Sequence, residues 1–228
     1  LAFHRLGSLP YFYSLSGKLL PWAGGLCIVL FGIGLYTGLA LAPTDYEQGD
    51  SYRIIYVHVP AAWMSMFVYV VLAIAGTIAL VWRLKLAEVV ARASAPIGAS
   101  YTFLALATGS IWGKPMWGTW WIWDARLTSE LILLFLYLGY IALQSAIDDR
   151  RTAARAGAVL ALVGVVNLPI IHYSVEWWST LHQGPTVSKF DSPSIHLSML
   201  IPLLLMALAF KIHFITAVLA RIRPEILG

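Results

Sequence analysis

The chain has 228 residues, 60% of them hydrophobic and 11% charged, and a mean hydropathy of +0.78. A typical soluble domain carries about 25% charged residues, so this composition excludes one and indicates an integral membrane protein. The net charge of +4 does not point to nucleic acid, because the basic residues sit in short loops beside apolar runs. The single Cys27 excludes a disulfide framework or a zinc ribbon within one chain.

Six apolar runs each approach the roughly 20 residues that cross a bilayer core. The expected fold is therefore an all-α membrane protein, one six-span domain over 1–228. A short polar and aromatic lead precedes the first span, about 19–41. That run is too long for a signal peptide and lacks a cleavage-type ending. A polar loop with Asp45, Glu47 and Asp50 leads to the second span, about 61–82, entered at Pro60. The third, about 93–111, is rich in Ser, Thr, Gly and Ala, which let helices pack closely in lipid. The fourth spans about 127–147 and the fifth about 156–173, with a kink expected at Pro169. The sixth covers about 195–219.

Six spans put both termini on one side of the membrane. That side carries Arg5, Lys18, Arg83, Lys85, Arg92, Arg150, Arg151, Arg155, Arg221 and Arg223, and the other carries Arg53, Lys114, Arg126 and Lys189. Lys211 lies within the sixth span. Ten against four places both termini in the cytoplasm by the positive-inside rule.

Between spans three and four lies the loop 112–126, holding Trp112, Trp117, Trp120, Trp121 and Trp123, five of the ten tryptophans. Each ring can bury about 150–250 Å², and an ordinary interfacial belt scatters one or two per helix end. Five rings among glycines and a proline read as a rigid platform for a large, flat, apolar ligand on the outer face. Two histidines flank it. His58, before Val59-Pro60, is expected to project from the outer mouth of span two, since proline favours a helix's first turn. His182 lies in the loop after span five. A short helix over 175–183 would put it on one face with Trp178 at i, i+4 spacing, with Gly184-Pro185 as its stop.

A flat apolar ligand with two imidazoles available is what haem requires. The alternative is that His58 and His182 are interfacial histidines bonded to headgroups or loop carbonyls. His172 is open between a ligand, a hydrogen-bond donor to the site and a satisfied buried histidine. His196 reads as a helix-entry residue, and His4 and His213 lie towards the cytoplasm, away from an outer site. No Cys-x-x-Cys-His run exists for thioether attachment, so any haem is held non-covalently. Asp124 reads first as the N-cap of span four. Arg53 and Arg126 suit haem propionates as bidentate forks, or else pair with Asp50 or Glu47 and with Glu130. Glu130, one turn into span four, would cost a few kcal/mol without a partner.

The run Trp117-Gly118-Thr119-Trp120-Trp121-Ile122-Trp123-Asp124 resembles the "WWD" signature of haem-handling proteins in cytochrome c biogenesis. Two further regions, 51–62 and 167–184, are similar to the cytochrome c maturation protein C family in the same order. The chain after Gly184 carries little signature. The resemblance implies a non-covalently bound haem b at the periplasmic face, with His58 and His182 as axial ligands. Trp112, Trp117, Trp120, Trp121, Trp123 and Asp124 would form the platform; Arg53, Arg126 and Trp178 join the expected haem contacts on residue type and spacing, not on the resemblance. It also implies delivery of that haem to a membrane-anchored periplasmic chaperone, maturation protein E. Further implied partners are a small one-span subunit, maturation protein D, and the ATP-binding-cassette subunits, maturation proteins A and B. No phosphate-binding Gly-x-x-x-x-Gly-Lys-Ser/Thr run occurs, so ATP use would belong to partners.

This is a reading as a haem-binding and delivery protein of the bacterial inner membrane rather than a classical enzyme. Two other classes compete. A membrane b-type cytochrome would place paired histidines inside its spans, and a haem transporter would need polar groups lining a path across the bilayer.

Overall fold

The structure, a computed structural model, describes residues 8–182, 184, 187 and 192–227. His4, Arg5, Gln183, Pro185 and Lys189, used above for topology and for the loop after span five, lie outside the described residues. Among the described residues six helical segments are long and apolar enough to cross a membrane. Helix α1 (Leu9–Tyr36) ends in a wider turn, Thr37–Leu41, and a tight 3-10 turn, Asp50–Ile54, feeds α2 (Ile55–Trp82). Then follow α3 (Lys85–Trp117), α4 (Ala125–Ala146), α5 (Arg150–Gly164), α6 (Asn167–Trp177) and α7 (Leu197–Leu227).

The small residues of the third span set the packing. Helix α3 is the most buried of the six spans. Ala95, Ala99 and Ala105, with Ser94 and Thr102, let α2, α4 and α7 close around it. The expected third span is thus the hub of the bundle. Large apolar side chains such as Ile28, Phe135, Val163 and Val166 face outwards, as a lipid-solvated surface requires.

Several buried polar groups are bonded within the bundle, whereas Tyr56 Oη and Ser94 Oγ have no hydrogen-bond partner among the described residues. The Glu130 carboxylate accepts from Ser65 Oγ at 2.7 Å, and Tyr137 Oη donates to the Ser65 carbonyl at 2.7 Å. The expected Arg126–Glu130 ion pair does not form within 4.0 Å. The fifth span is two helices. Pro169 has no N–H to bond the carbonyl of Val165, and the helix breaks at Val165–Val166, between α5 and α6.

Three expectations for the tryptophan end change. Pro60 lies inside α2 rather than at its first turn, because the 3-10 lead-in starts the helix earlier. His58 therefore stands on the helix wall and not in a loop. Likewise Trp112 to Trp117 continue α3, and only 118–124 form the connection. The expected helix over 175–183 is absent: α6 ends at Trp177, and Trp178 is extended with φ −133° and ψ 156°.

Candidate functional site

At the tryptophan end, α2, α3, α4 and α6 enclose a cavity of about 320 Å³. That falls in the range of small-molecule sites. Its wall follows one side of α2 through Ile55, His58, Ala62 and Met66. A helix rises about 1.5 Å per residue, so the cavity runs roughly three turns down that helix.

His58 is held by α3. Its Nδ1 lies 3.0 Å from the Ala105 carbonyl and 3.1 Å from Thr108 Oγ1. A carbonyl only accepts, so Nδ1 carries the proton and Nε2 keeps its lone pair. The ring fits because residue 109 is glycine: a Cβ there would lie 3.0 Å from His58 Cε1. Trp112 stands edge-to-face against it at 5.6 Å, and its Nε1 donates to Gln48 Oε1 at 2.9 Å. Tyr52 closes the other side of that indole at 5.9 Å. The polar first loop thus fixes the tryptophan that braces the histidine.

His182 reaches the same cavity from the loop after α6. Its ring lies 4.8 Å from that of Trp117. The backbone turn is set by Thr180, whose Oγ1 accepts from His182 N at 3.1 Å. His182 Nδ1 and Asp124 Oδ2 face each other at 3.5 Å, both buried and without a hydrogen-bond partner among the described residues. Asp124 also caps α4, its Oδ1 accepting from Leu127 N at 2.8 Å, so the expected N-cap is present and its second oxygen is directed at a histidine. Burial lowers the His182 pKa, and the nearby Arg126 guanidinium lowers it further, against the opposing pull of Asp124. The imidazole is held neutral, the form that binds a metal.

Arg126 lines the cavity, half-buried, with one N–H donated to the Ile171 carbonyl at 2.7 Å. No carboxylate of the described residues comes within 4.0 Å of it. A guanidinium left partly desolvated beside a cavity favours an anionic ligand there.

The other expected site residues are arranged differently. Arg53 bonds Asp50 at 2.9 Å and the carbonyls of Gly38 and Leu39, tying the first loop to the end of α1. Trp120, Trp123 and Trp178 are 58%, 75% and 49% exposed and do not line the cavity. Trp121 lies beside Trp123, ring centroids 5.4 Å apart. Gly118, at φ +75°, ends α3 and turns this indole group away from Trp112 and Trp117. The expected platform of five rings is therefore two populations, one in the cavity wall and one outside it. Gln48, Trp63 and Met66 line the cavity without having been singled out in the sequence, and His172 joins them. The signal for Trp63 and Met66 was their helical spacing from His58 and Val59, masked by an apolar span in which every position looks alike.

The cavity therefore gathers two imidazoles, the indoles of Trp112 and Trp117 and the Arg126 guanidinium in one wall. Comparison with known proteins gives the same chain-wide match. The family model described as heme exporter protein C matches residues 2–228. Heme exporter protein C of Haemophilus influenzae is 56% identical over 215 residues, 94% of this chain and 87% of that protein. The Escherichia coli K12 protein of the same name is 54% identical over 224 residues, covering 98% and 90%. A putative cytochrome c biosynthesis ccmC-like mitochondrial protein of Marchantia polymorpha is 45% identical over 194 residues, covering 85% and 81%.

Proposed function

The chain belongs to the family of heme exporter protein C, and on that premise we propose that it holds haem non-covalently at the tryptophan end and hands it to a partner in cytochrome c maturation. One observation carries the reading. His58 on α2 and His182 in the loop after α6 line one cavity with Trp112 and Trp117. His58 Nδ1 is bonded to a backbone carbonyl, and His182 Nδ1 faces a carboxylate. Histidines that ligate metals are generally oriented in this manner through their other nitrogen.

The cargo is haem b with His58 Nε2 and His182 Nε2 as axial ligands. Arg126 meets a propionate, and Trp112 and Trp117 cover the porphyrin. The residues fit this cargo in charge as well as shape, since the half-buried guanidinium has no carboxylate of the described residues within 4.0 Å. Asp124 acts through His182 by fixing its tautomer, and Arg53 acts through the first loop. Trp120, Trp121, Trp123 and Trp178 form the rim against which a receiving protein docks. That receiver is the membrane-anchored haem chaperone, maturation protein E, with maturation protein D and the cassette subunits A and B as further partners. The tryptophan end faces the periplasm across the bacterial inner membrane and both termini are cytoplasmic, as the ten-against-four distribution of basic residues supports.

Non-covalent ligation suits delivery. Two coordinate bonds hold the iron but break one at a time, and no cysteine of this chain competes for the vinyl groups. The test is the absorption spectrum of detergent-purified protein, wild type beside His58→Ala and His182→Ala. Low-spin bis-histidine bands in the wild type, lost or shifted in both variants, support the site. Unchanged spectra in both single variants overturn the axial assignment.

A further inference from the structure

A second histidine site lies on the other half of the bundle. There α3 and α7 leave a groove of about 380 Å³ lined by Ser100, Tyr101, His213, Ala217, Ala220 and Arg221. Tyr101 Oη lies 3.0 Å from the Phe210 carbonyl and 2.6 Å from His213 Nδ1. The phenol has one proton. Both contacts are hydrogen bonds only if that proton goes to the carbonyl and Nδ1–H donates to the phenol oxygen. His213 Nε2 is then the basic nitrogen, the same orientation as at His58. Phe31 at 6.2 Å and Tyr101 at 5.8 Å stand edge-on to the imidazole and fix its plane.

Arg221 supplies the charge. Arg92 is paired with Glu225 at 3.1 Å, and Arg223 donates to the Tyr13 carbonyl at 2.7 Å. Arg221 has no carboxylate within 4.0 Å among the described residues. It lies two turns along α7 from His213, about 12 Å of helix rise. On α7 the wall between them is Ala217 and Ala220, small apolar side chains, and Pro96 and Ile97 of α3 line the same groove. A basic imidazole nitrogen, an apolar floor and a guanidinium at the edge match a metal-bearing macrocycle with a peripheral carboxylate.

We propose that this groove is a second, weaker haem-contact site, with His213 as its single axial ligand and Arg221 on a propionate. The inference rests on the reading of this chain as a haem carrier. Along α3 the groove lies near Tyr101 and the tryptophan cavity near Gly109, about 12 Å of helix rise apart, so one helix backs both sites.

The experiment titrates ferric haem into the detergent-purified full chain carrying His58→Ala and His182→Ala together, beside the same protein with His213→Ala added. The double variant is expected to keep binding roughly ten- to hundredfold weaker than wild type, with a five-coordinate, high-spin imidazole spectrum that the triple variant loses. Tyr101→Phe in the double variant, which keeps the ring but frees the imidazole, should weaken that residue of binding severalfold. Where alanine at 213 impairs folding, His213→Gln, whose amide can keep the bond to Tyr101, replaces it. Equal binding by double and triple variants overturns the second site, while loss of the low-spin bands in both still supports the first. Low-spin bands that survive in the double variant and vanish with His213 overturn the tryptophan-end assignment instead.

Discussion

Asp124 and His182, far apart in the chain, meet at 3.5 Å beside the cavity that His182 lines, their facing atoms buried and without a hydrogen-bond partner among the described residues. The other Asp124 oxygen caps α4. One carboxylate thus joins the start of a spanning helix to the proposed axial ligand. Asp124→Ala removes both roles and should cost about 1 kcal/mol through the lost cap alone. Asp124→Asn separates them, because asparagine caps nearly as well but can turn an N–H towards His182 Nδ1. That favours the tautomer with its proton on Nε2, which cannot ligate. Asp124→Asn is therefore expected to keep its thermal unfolding midpoint within a few degrees while losing the low-spin spectrum. Full haem retention in Asp124→Asn would reduce Asp124 to a cap.

Gly109 sets the position of His58. A Cβ at this residue would meet His58 Cε1 at 3.0 Å and Nδ1 at 3.5 Å, closer than the ring tolerates without moving. Gly109→Ala should shift the imidazole slightly and broaden the low-spin bands. Gly109→Val should displace it and abolish them while the protein still inserts. Circular dichroism on the same samples checks that α3 is retained, and normal spectra in Gly109→Val would sever His58 from the iron.

The pH dependence follows from His182. Its pKa is lowered by burial and then by Arg126, with Asp124 opposing. A group depressed in the folded state contributes stability above its unfolded value, about 6.5, and that contribution is lost as pH falls through the folded value. Haem affinity through His182 should accordingly stay level from about pH 8 to 6.5 and fall only below it. Arg126→Gln removes the guanidinium that lowers the pKa and should move the fall to higher pH. A titration midpoint at or above 6.5 in the wild type would mean that the imidazole is solvated.

Arg126 should contribute through charge rather than shape. It lies in the cavity wall with no carboxylate of the described residues within 4.0 Å. Loss of a charged hydrogen bond costs about 2 kcal/mol, roughly thirtyfold in affinity. Arg126→Gln should weaken haem b by about that factor, and by much less for a porphyrin esterified at both propionates. An equal loss for both ligands would place the arginine's role in packing alone, through its bond to Ile171.

The spans were legible because length and hydropathy decide them, and the third span's small residues foretold tight packing before α3 proved the hub. Pro169 foretold a break, which falls four residues earlier because the missing N–H is felt at the carbonyl of Val165. That His58, His182, Trp112 and Trp117 gather at one end of the fold was legible from residue type and order, although His58, Trp112 and Trp117 lie on helices rather than in loops. What was not legible is which ring faces where. The turn at Gly118 sorts the tryptophans, and a run of indoles gives no sign of that sorting. Gln48 was hidden because its role is a contact with Trp112 across the fold. The extended chain at Trp178 was misread because i, i+4 spacing in Trp178 and His182 mimics a helix where Thr180 makes a turn instead.

That sorting of the indoles separates two functions that a single platform would merge. Trp112 and Trp117 touch the proposed ligands, whereas Trp120 and Trp123 are largely exposed. Exposed tryptophans are favoured anchors for protein partners. Trp112→Ala should therefore lower haem affinity and shift the spectrum, since it removes the brace on His58. The double variant Trp120→Ala/Trp123→Ala should bind haem with an unshifted spectrum yet transfer it to the periplasmic chaperone at least tenfold more slowly. The readout is covalent haem on the chaperone after denaturing electrophoresis, with the spectrum of the donor recorded in parallel. If Trp120→Ala/Trp123→Ala lost its haem as readily as Trp112→Ala, the outer indoles would belong to the binding site after all. If it transferred haem at the wild-type rate, the receiving surface would have to lie elsewhere on the tryptophan end.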